Sequence, residues 1–399
     1  MAVASAALLS GCGQVGPPPK DFATEDAVVA MRVQEGGEDS SYLVLFSADG
    51  RSRAIELDGD EDDRVSWTKH GVTTSDRDHD YVIDGKGLSG QERTSDGESV
   101  EQTGEWFRVQ VGKGTLAGFS GADGSSDSIF TYIDGATSKA TTEVESYAPK
   151  TAAAVCDDHV FAPGRGTGTK AFEDDSDSVP EAEWDRAALV SIYPRDGVDV
   201  KSTLEPSSLP MGELPCVDGI VYEAWENNDA DQHIVRTWNT AKGTSAAEAA
   251  IDHEIVYPGD AAGQIGGPSA VAVKDGRLVW VVENTIWSAS RPSHTAGEVQ
   301  AREIGRVGGY IGLDAEALTY SSKAAYSVTN ESDLRERHSK YDSDVWTELT
   351  GLTLLRTDLA TGKESAALEF DVDDVDFPTK NVSVTALAIN PEWLADQSE

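Results

Sequence analysis

The chain has 399 residues, 39% of them hydrophobic, and a formal net charge of −39. So acidic a balance excludes nucleic acid, whose phosphates need Lys and Arg, and excludes anionic lipid headgroups reached through a basic patch. The apolar fraction excludes a chain disordered throughout, and no run of about eighteen apolar residues exists to form a transmembrane helix. The negative surface reads first as a device for solubility and only second as a lure for cations or basic partners.

At the N-terminus, Ala2 to Leu9 are small or apolar, and Leu9-Ser10-Gly11-Cys12 follows. This resembles the bacterial lipobox, where a signal is cut just before a Cys whose thiol then carries a diacylglyceryl group. The resemblance implies lipidation of Cys12. It also implies an extracytoplasmic protein held at the cell membrane by its acyl chains alone, since two or three chains hold where one does not. Residues 1–11 are then the signal segment. They are short and lack Lys and Arg, so the signal is expected to be incomplete at its start. Residues 12–26, with Pro17-Pro18-Pro19, read as a semi-extended tether.

From Ala27 the pattern becomes β throughout. Ala27–Val33, Tyr42–Ser47 and Ser52–Leu57 are three strands with no innermost strand before them. Val65–Ile83 reads as a degenerate hairpin with a long turn. Here Asp76, Asp78 and Asp80, followed by Asp84, place carboxylates at alternate positions, as loops for a hard cation do, so Ca²⁺ is the candidate cofactor. Against that, Tyr81 stands where an EF-hand needs Gly, and alternate side chains of a strand simply share one solvated face. Asp58–Asp63 and Asp371–Asp376 read as solvated acidic loops.

A recurring phrase follows: a short apolar strand, a tight turn, and a second apolar or aromatic strand. It appears at Ala152–Pro163, Glu213–Trp225, Ser269–Glu283 and, more weakly, Ala315–Val328. In Ser269–Glu283 the turn is Lys274-Asp275-Gly276-Arg277, a strong hairpin signal. A second kind of hairpin alternates with these at Tyr42–Leu57, Ser128–Glu143, Ala188–Thr203, His233–Thr244 and Leu352–Phe370. Thr244–Ile251 is the one helical candidate, a turn or two. Cys156 and Cys216 fall at matching points of two successive phrases. They are candidates for a disulfide in an oxidising compartment, with two separate buried thiols as the alternative.

Units of about four strands, recurring every forty-five to seventy residues, form the pattern of propeller blades. Over Ala27–Trp393 the chain resembles the propeller domains of exported bacterial lipoproteins, of the PQQ-like and WD40-like kind. The resemblance implies an all-β propeller over residues 27–393 and a C-terminal tail over 394–399. The expected ring has about six four-stranded blades, the last closed by the three N-terminal strands and Val382–Asn390. Seven blades, or a pair of β-sandwiches, are the alternatives.

No catalytic residue can be singled out. Gly118-Phe119-Ser120-Gly121 and Gly87-Leu88-Ser89-Gly90 break the spacing of a nucleophile elbow, and His253-Glu254 lacks the second His of a zinc protease. Gly164–Lys170 lacks the four-residue gap of a phosphate loop. Trp67, Trp106, Trp225, Trp238, Trp280, Trp287 and Trp346 read mainly as packing between blades, with Trp346 a candidate platform for sugars. The expected function is non-catalytic: a monomeric, lipid-tethered module or scaffold that binds an envelope protein, peptide or glycan. An envelope enzyme working on wall polymer or an exported small molecule from the propeller channel is the alternative.

Overall fold

The computed structural model describes residues 19, 21–35, 40–58, 64–95, 98–121, 128–134, 137–144, 152–165, 187–193, 200–202, 212–227, 232–241, 249–259, 267–295, 297–308, 318–338, 343–372, 375 and 377–397. Their strands assort into seven sheets of four or five strands and one two-stranded ribbon; pairing is antiparallel except for the fifth strands, Gly212–Leu214 in one sheet and Gly297–Gln300 in the next, which pair in parallel. Blade I is Val65–Thr68, Gly71–Ser75, His79–Asp84 and Gly87–Glu92, and blade II is Gln102–Val111, Gly114–Gly121, Ser128–Asp134 and Thr137–Val144. Blade III comprises Ala152–Cys156, His159–Arg165, Ala187–Tyr193 and Val200–Ser202. Blade IV comprises Cys216–Val217, Ile220–Asn227, Gln232–Asn239 and Ala250–Val256. Blade V is built from Ser269–Lys274, Arg277–Val282, Thr285–Ser290 and Arg302–Arg306, and blade VI from Leu318–Tyr320, Ala324–His338, Ser343–Asp358 and Glu364–Phe370. In blade VII the innermost strand is Val382–Ile389, followed outward by Ala27–Glu35, Ser40–Ser47 and Ser52–Asp58.

Neighbouring blades touch along their inner strands all the way round, from blade VII to blade I and on to blade VI and back to VII. The fold is therefore a closed seven-bladed β-propeller. Closure by both termini is as the sequence suggests: Ala27–Glu35 pairs with Ser40–Ser47 on one side and with Val382–Ile389 on the other.

The expected count of six is corrected to seven, and the missing unit is the inner hairpin of blade II. In Gln102–Gly121, small residues and Gly break up the apolar strands, and two register shifts distort the ladder. Ser128–Glu143 therefore passes for the outer half of the preceding unit, while the short strands of blade I are a complete blade in themselves. Two further expectations change. Glu213–Trp225 is not one phrase: Pro215, which has no N–H to give a ladder, divides it. Gly212–Leu214 joins blade III as a fifth, parallel strand along Ala152–Ala154, and blade IV begins at Cys216. Of the helical candidate, Ala250 and Ile251 lie in the outer strand of blade IV. Ala249 of the candidate is helical and residues 244–248 lie outside the described ones; a further helix is Pro391–Asp396, with Asn390 capping its start and Pro at its first turn. Its Trp393 and Leu394 pack on the core between blades VI and VII, so the ring's packing runs past the expected boundary at 393.

Turn chemistry sets the inner hairpins. Asp218-Gly219 and Asp275-Gly276 both hold positive φ at both central residues, which is the primed turn whose twist suits a two-residue hairpin. Blade faces are apolar, and each cluster of the core lies between two blades. Ala30, Leu43 and Leu45 of blade VII meet Val72, Tyr81 and Ile83 of blade I. Trp280 and Trp287 of blade V meet Tyr222 and Val235 of blade IV. Trp225, Trp238, Trp280 and Trp287 are buried, as packing between blades requires.

Leu387 is buried on the closing strand, against blades VI and VII. Leu387→Ala should cost about 2–5 kcal/mol by the lost transfer energy and the cavity left behind. Denaturant unfolding of the variant beside the parent measures it. A loss under about 0.5 kcal/mol would show that the clasp does not limit the stability of the ring.

Candidate functional site

The axis of the ring is open. A cavity of about 390 Å³ is lined by Val65–Trp67, Arg108, Gly212, Glu213, Ala270–Lys274, Leu318–Tyr320 and Ala386–Ile389, drawn from blades I, II, III, V, VI and VII. Innermost strands pair on one side only, so their other edge faces the lumen. On blade III that edge is covered: Gly212–Leu214 lies inside the ring and also meets the inner strands of blades II and V. It carries Glu213 into the lumen. There Glu213 is reached by water but walled by protein, and burial pushes its carboxyl above the ordinary range, partly offset by the charge of Lys274. Lys274 ends the inner strand of blade V. Its Nζ donates to the Tyr320 carbonyl at 3.3 Å and lies 5.7 Å from the centre of the Tyr320 ring. Burial lowers its pKa, against the pull of Glu213 and Asp275.

A second concentration of charge lies between blades I and II. Six of the seven blade interfaces are filled by clusters of six or more buried residues, but this one holds only Ala117, Phe119 and Ile129 against Val100. Ion pairs fill the rest. Arg93 Nη2 lies 3.2 Å from Asp80 Oδ1 with both side chains fully buried, and its guanidinium stacks 4.1 Å from the centre of the Phe119 ring. Arg108 Nε lies 2.7 Å from Glu105 Oε1, and Arg108 also donates to Ser75 Oγ. Burial raises the Glu105 carboxyl against the pull of Arg108 and Arg64. From blade VII, Arg32 donates to Thr74 Oγ1, the Ser75 carbonyl and Ser41 Oγ.

The four candidate cation ligands do not converge. Asp76 and Asp78 come together with His79, the ligand atoms of all three lying within 4.8 Å of one another. Asp76 already accepts from the Asp78 and His79 amides at 3.1 and 2.7 Å and from the Tyr81 hydroxyl at 2.5 Å, and burial raises its carboxyl. His79 Nδ1 is 2.6 Å from Asp78 Oδ1. Asp80 turns inward to Arg93 and Ser75, and Asp84 caps the amides of Lys86 and Gly87 at the far end of its strand. These carboxylates serve a turn and a blade interface.

Cys156 and Cys216 form a disulfide, with Cα atoms 5.4 Å apart. It ties the end of the inner strand of blade III to the start of blade IV, one residue beyond Pro215, and so holds both ends of the region that carries Glu213. Cys12 lies outside the described residues. Trp67 lines the central cavity. Trp346 is half-buried: its Nε1 donates to Glu348 at 3.0 Å and Lys380 Nζ lies 5.3 Å from its ring centre, so one face is already taken.

Trp346 belongs to an arm. The two middle strands of blade VI have 15 and 16 residues and pair from Ala324–Asp358 to His338–Ser343. Their neighbours stop early: Leu318–Tyr320 reaches only Ser327, and Glu364–Phe370 only Leu352. Beyond them the pair runs on as a ribbon, held at its base by hydrogen bonds between Thr347–Leu349 and Thr379–Asn381. Leu334 is 67% exposed and Val345 52% exposed, and these are the exposed large hydrophobic residues among those described. Leu334 pairs with Thr347 and Val345 with Glu336, which puts both on one face of the ribbon as diagonal neighbours.

No protein-family model matches the sequence, and no curated protein is similar to it. Solved structures of similar shape exist. Apo AztD from Citrobacter koseri shares 12% identity at a TM-score of 0.45, over 91% of this chain and 98% of that one. A chain of the Mitotic Checkpoint Complex shares 12% at 0.44, over 97% and 94%, and Kluyvelomyces marxianus Hsv2 shares 7% at 0.38, over 76% and 93%. The ring rests on its own strand pairings.

Glu213 and Lys274 were not legible as a pair. Lys274 reads as the first residue of a turn, and the only signal for Glu213 is the short Gly-Glu-Leu run cut off by Pro215.

Two outcomes follow from this geometry. Arg93→Met leaves Asp80 charged, buried and without its cation, and should cost about 3–5 kcal/mol in chemical unfolding. Arg93→Met with Asp80→Leu should recover much of that loss, and a double variant no better than the single would refute the charge-pair account. Reduction of Cys156–Cys216, or Cys156→Ser with Cys216→Ser, frees a loop with a sequence separation of 60 residues. It should lower stability by about 4 kcal/mol, read as a fall in the unfolding midpoint.

Proposed function

We propose that this chain is a binding module held on the outer face of a bacterial cell membrane by lipid on Cys12, and that it engages a protein or peptide of the envelope through the arm of blade VI. The arm is the observation that carries the reading. A soluble ring gains no packing from a two-stranded ribbon that outruns its own sheet, and an isolated ribbon is marginal in water. Here it presents Leu334 and Val345 side by side on one face. Exposed apolar neighbours rimmed by polar groups mark contact sites, and Asp333, Arg335 and Glu348 supply the rim. Leu334 and Val345 supply the apolar contact, and the rim sets orientation and register.

The disulfide supports an oxidising compartment, where such bonds persist. Leu9-Ser10-Gly11-Cys12 supports the anchor, and Pro17-Pro18-Pro19 supports a spacer between bilayer and ring. No helix among the described residues is long and apolar enough to cross a membrane. The module acts as a monomer.

Crosslinking of the protein in its native membrane, with partners identified by mass spectrometry, tests both parts. Cys12→Ala should move the protein to the soluble fraction; a variant that stays on the membrane removes the anchor from the proposal. Leu334→Asp with Val345→Asp should abolish the crosslinked partner while leaving the unfolding midpoint within about 0.5 kcal/mol, because both sites are exposed. An undiminished crosslink in that variant rules out the arm.

A further inference from the structure

The cavity at the centre of the ring carries opposite charges on separate walls. Glu213 enters from the inserted strand Gly212–Leu214, and Lys274 stands at the end of the inner strand of blade V. Each senses the other's charge, yet they form no direct ion pair. The Lys274 ammonium is instead occupied by the Tyr320 carbonyl and ring, and Glu213 makes no hydrogen bond. A second cation stands on the Glu213 side: Nη1 of Arg64 would lie 3.9 Å from a β-carbon placed on Gly212. Ala270, Ala272, Ala386 and Ala388 line the space between, and their short side chains leave it open.

Lys274 is half-buried and Glu213 is reached by water but walled by protein, so each gives up part of its hydration, at some cost, without a close counter-charge. Burial raises Glu213 and lowers Lys274, as that cost requires. The arrangement also recruits a strand from outside the four-stranded blade plan, and the Cys156–Cys216 disulfide fixes that strand's exit. A ligand with a positive and a negative end supplies what each wall lacks. At about 390 Å³ the cavity sits at the low end of the range for small-molecule sites, about 300–1,000 Å³.

We propose that the central channel is a binding site for a small zwitterion of amino-acid or dipeptide size, its ammonium held by Glu213 and its carboxylate by Lys274. Trp67 and Tyr320 supply aromatic wall for the remainder of the ligand, and the Tyr320 hydroxyl, buried without a partner, is one further donor at the site. The site is independent of the arm, so either proposal stands if the other fails.

Titration calorimetry of the intact soluble protein, with the disulfide formed, tests this with three probes of nearly equal size. Alanyl-alanine carries both charges, N-acetyl-alanyl-alanine only the carboxylate, and alanyl-alanine amide only the ammonium. The dipeptide should bind at least about tenfold more tightly than either blocked form. Glu213→Gln should lower dipeptide affinity about tenfold or more and leave the N-acetylated probe unchanged. Lys274→Met should do the reverse, sparing the amide probe. The Glu213 carboxylate makes no hydrogen bond or ion pair among the described residues, and unchanged thermal unfolding of Glu213→Gln separates a lost ligand contact from a lost fold. Equal binding of all three probes, or no binding of the dipeptide or of any of the twenty amino acids at millimolar concentration, overturns the proposal.

Discussion

Everything in this molecule depends on the pairing of Ala27–Glu35 with Val382–Ile389. The other blades are built mainly from strands close in sequence, with Gly212–Leu214 added to blade III and Gly297–Gln300 to blade IV as fifth, parallel strands. Blade VII joins residues from opposite ends of the chain, Val29 to Ile389 and Glu35 to Val382, and only that ladder turns a row of sheets into a ring. A row would leave apolar blade faces exposed at both ends, at Val29 and Met31 on one side and at Val65 and Val72 on the other. Closure buries both faces and removes the two exposed ends of the array. It also holds the central cavity open, because seven blades around one axis cannot all meet there.

The ring is not uniform, and its one polar seam is informative. Between blades I and II, Arg93–Asp80 and Arg108–Glu105 stand where other seams use Leu, Val and Trp. Buried pairs of this kind contribute little net stability over an apolar filling, but they penalise any misfit severely, since a displaced partner leaves a bare charge in protein. The contacts that cross the seam, from Arg108 to Ser75, from Arg64 to Glu105 and from Arg93 to the Phe119 ring, specify how blade II docks more than they strengthen the docking. Arg64 and Arg108 belong both to this seam and to the cavity wall, so the same network positions the lumen's cations.

Charge on the outside follows a different logic. A net charge of −39 keeps the ring dispersed, while Arg93, Arg108 and Arg236 are buried, in ion pairs and on aromatic rings. What remains for contact is the ribbon of blade VI, where apolar side chains reach water, and the lumen, where unlike charges face each other across small residues. One suits a broad partner surface and the other a small ligand.

Much of this architecture was legible in the sequence, because a strand's period of two and the chemistry of a tight turn are local. The apolar runs at Ala152–Pro163 and Ser269–Glu283, the Asp-Gly turns, the three unpartnered N-terminal strands and the single C-terminal strand together determined an all-β ring closed by its own ends. Blade I and blade II hid the seventh unit because their facing residues, Thr74, Ser75, Asp80 and Glu105, are polar and satisfied by arginines from elsewhere, so the apolar alternation that marks a blade is missing. Only the tertiary structure decided which carboxylates meet which cations, that Cys156 and Cys216 are joined, that Gly212–Leu214 enters the channel, and that Leu334 and Val345 stay in water. Those outcomes rest on through-space neighbours tens to hundreds of residues apart, and the energy of a buried charge or an exposed apolar side chain is set by those neighbours and not by the residues beside it in the chain.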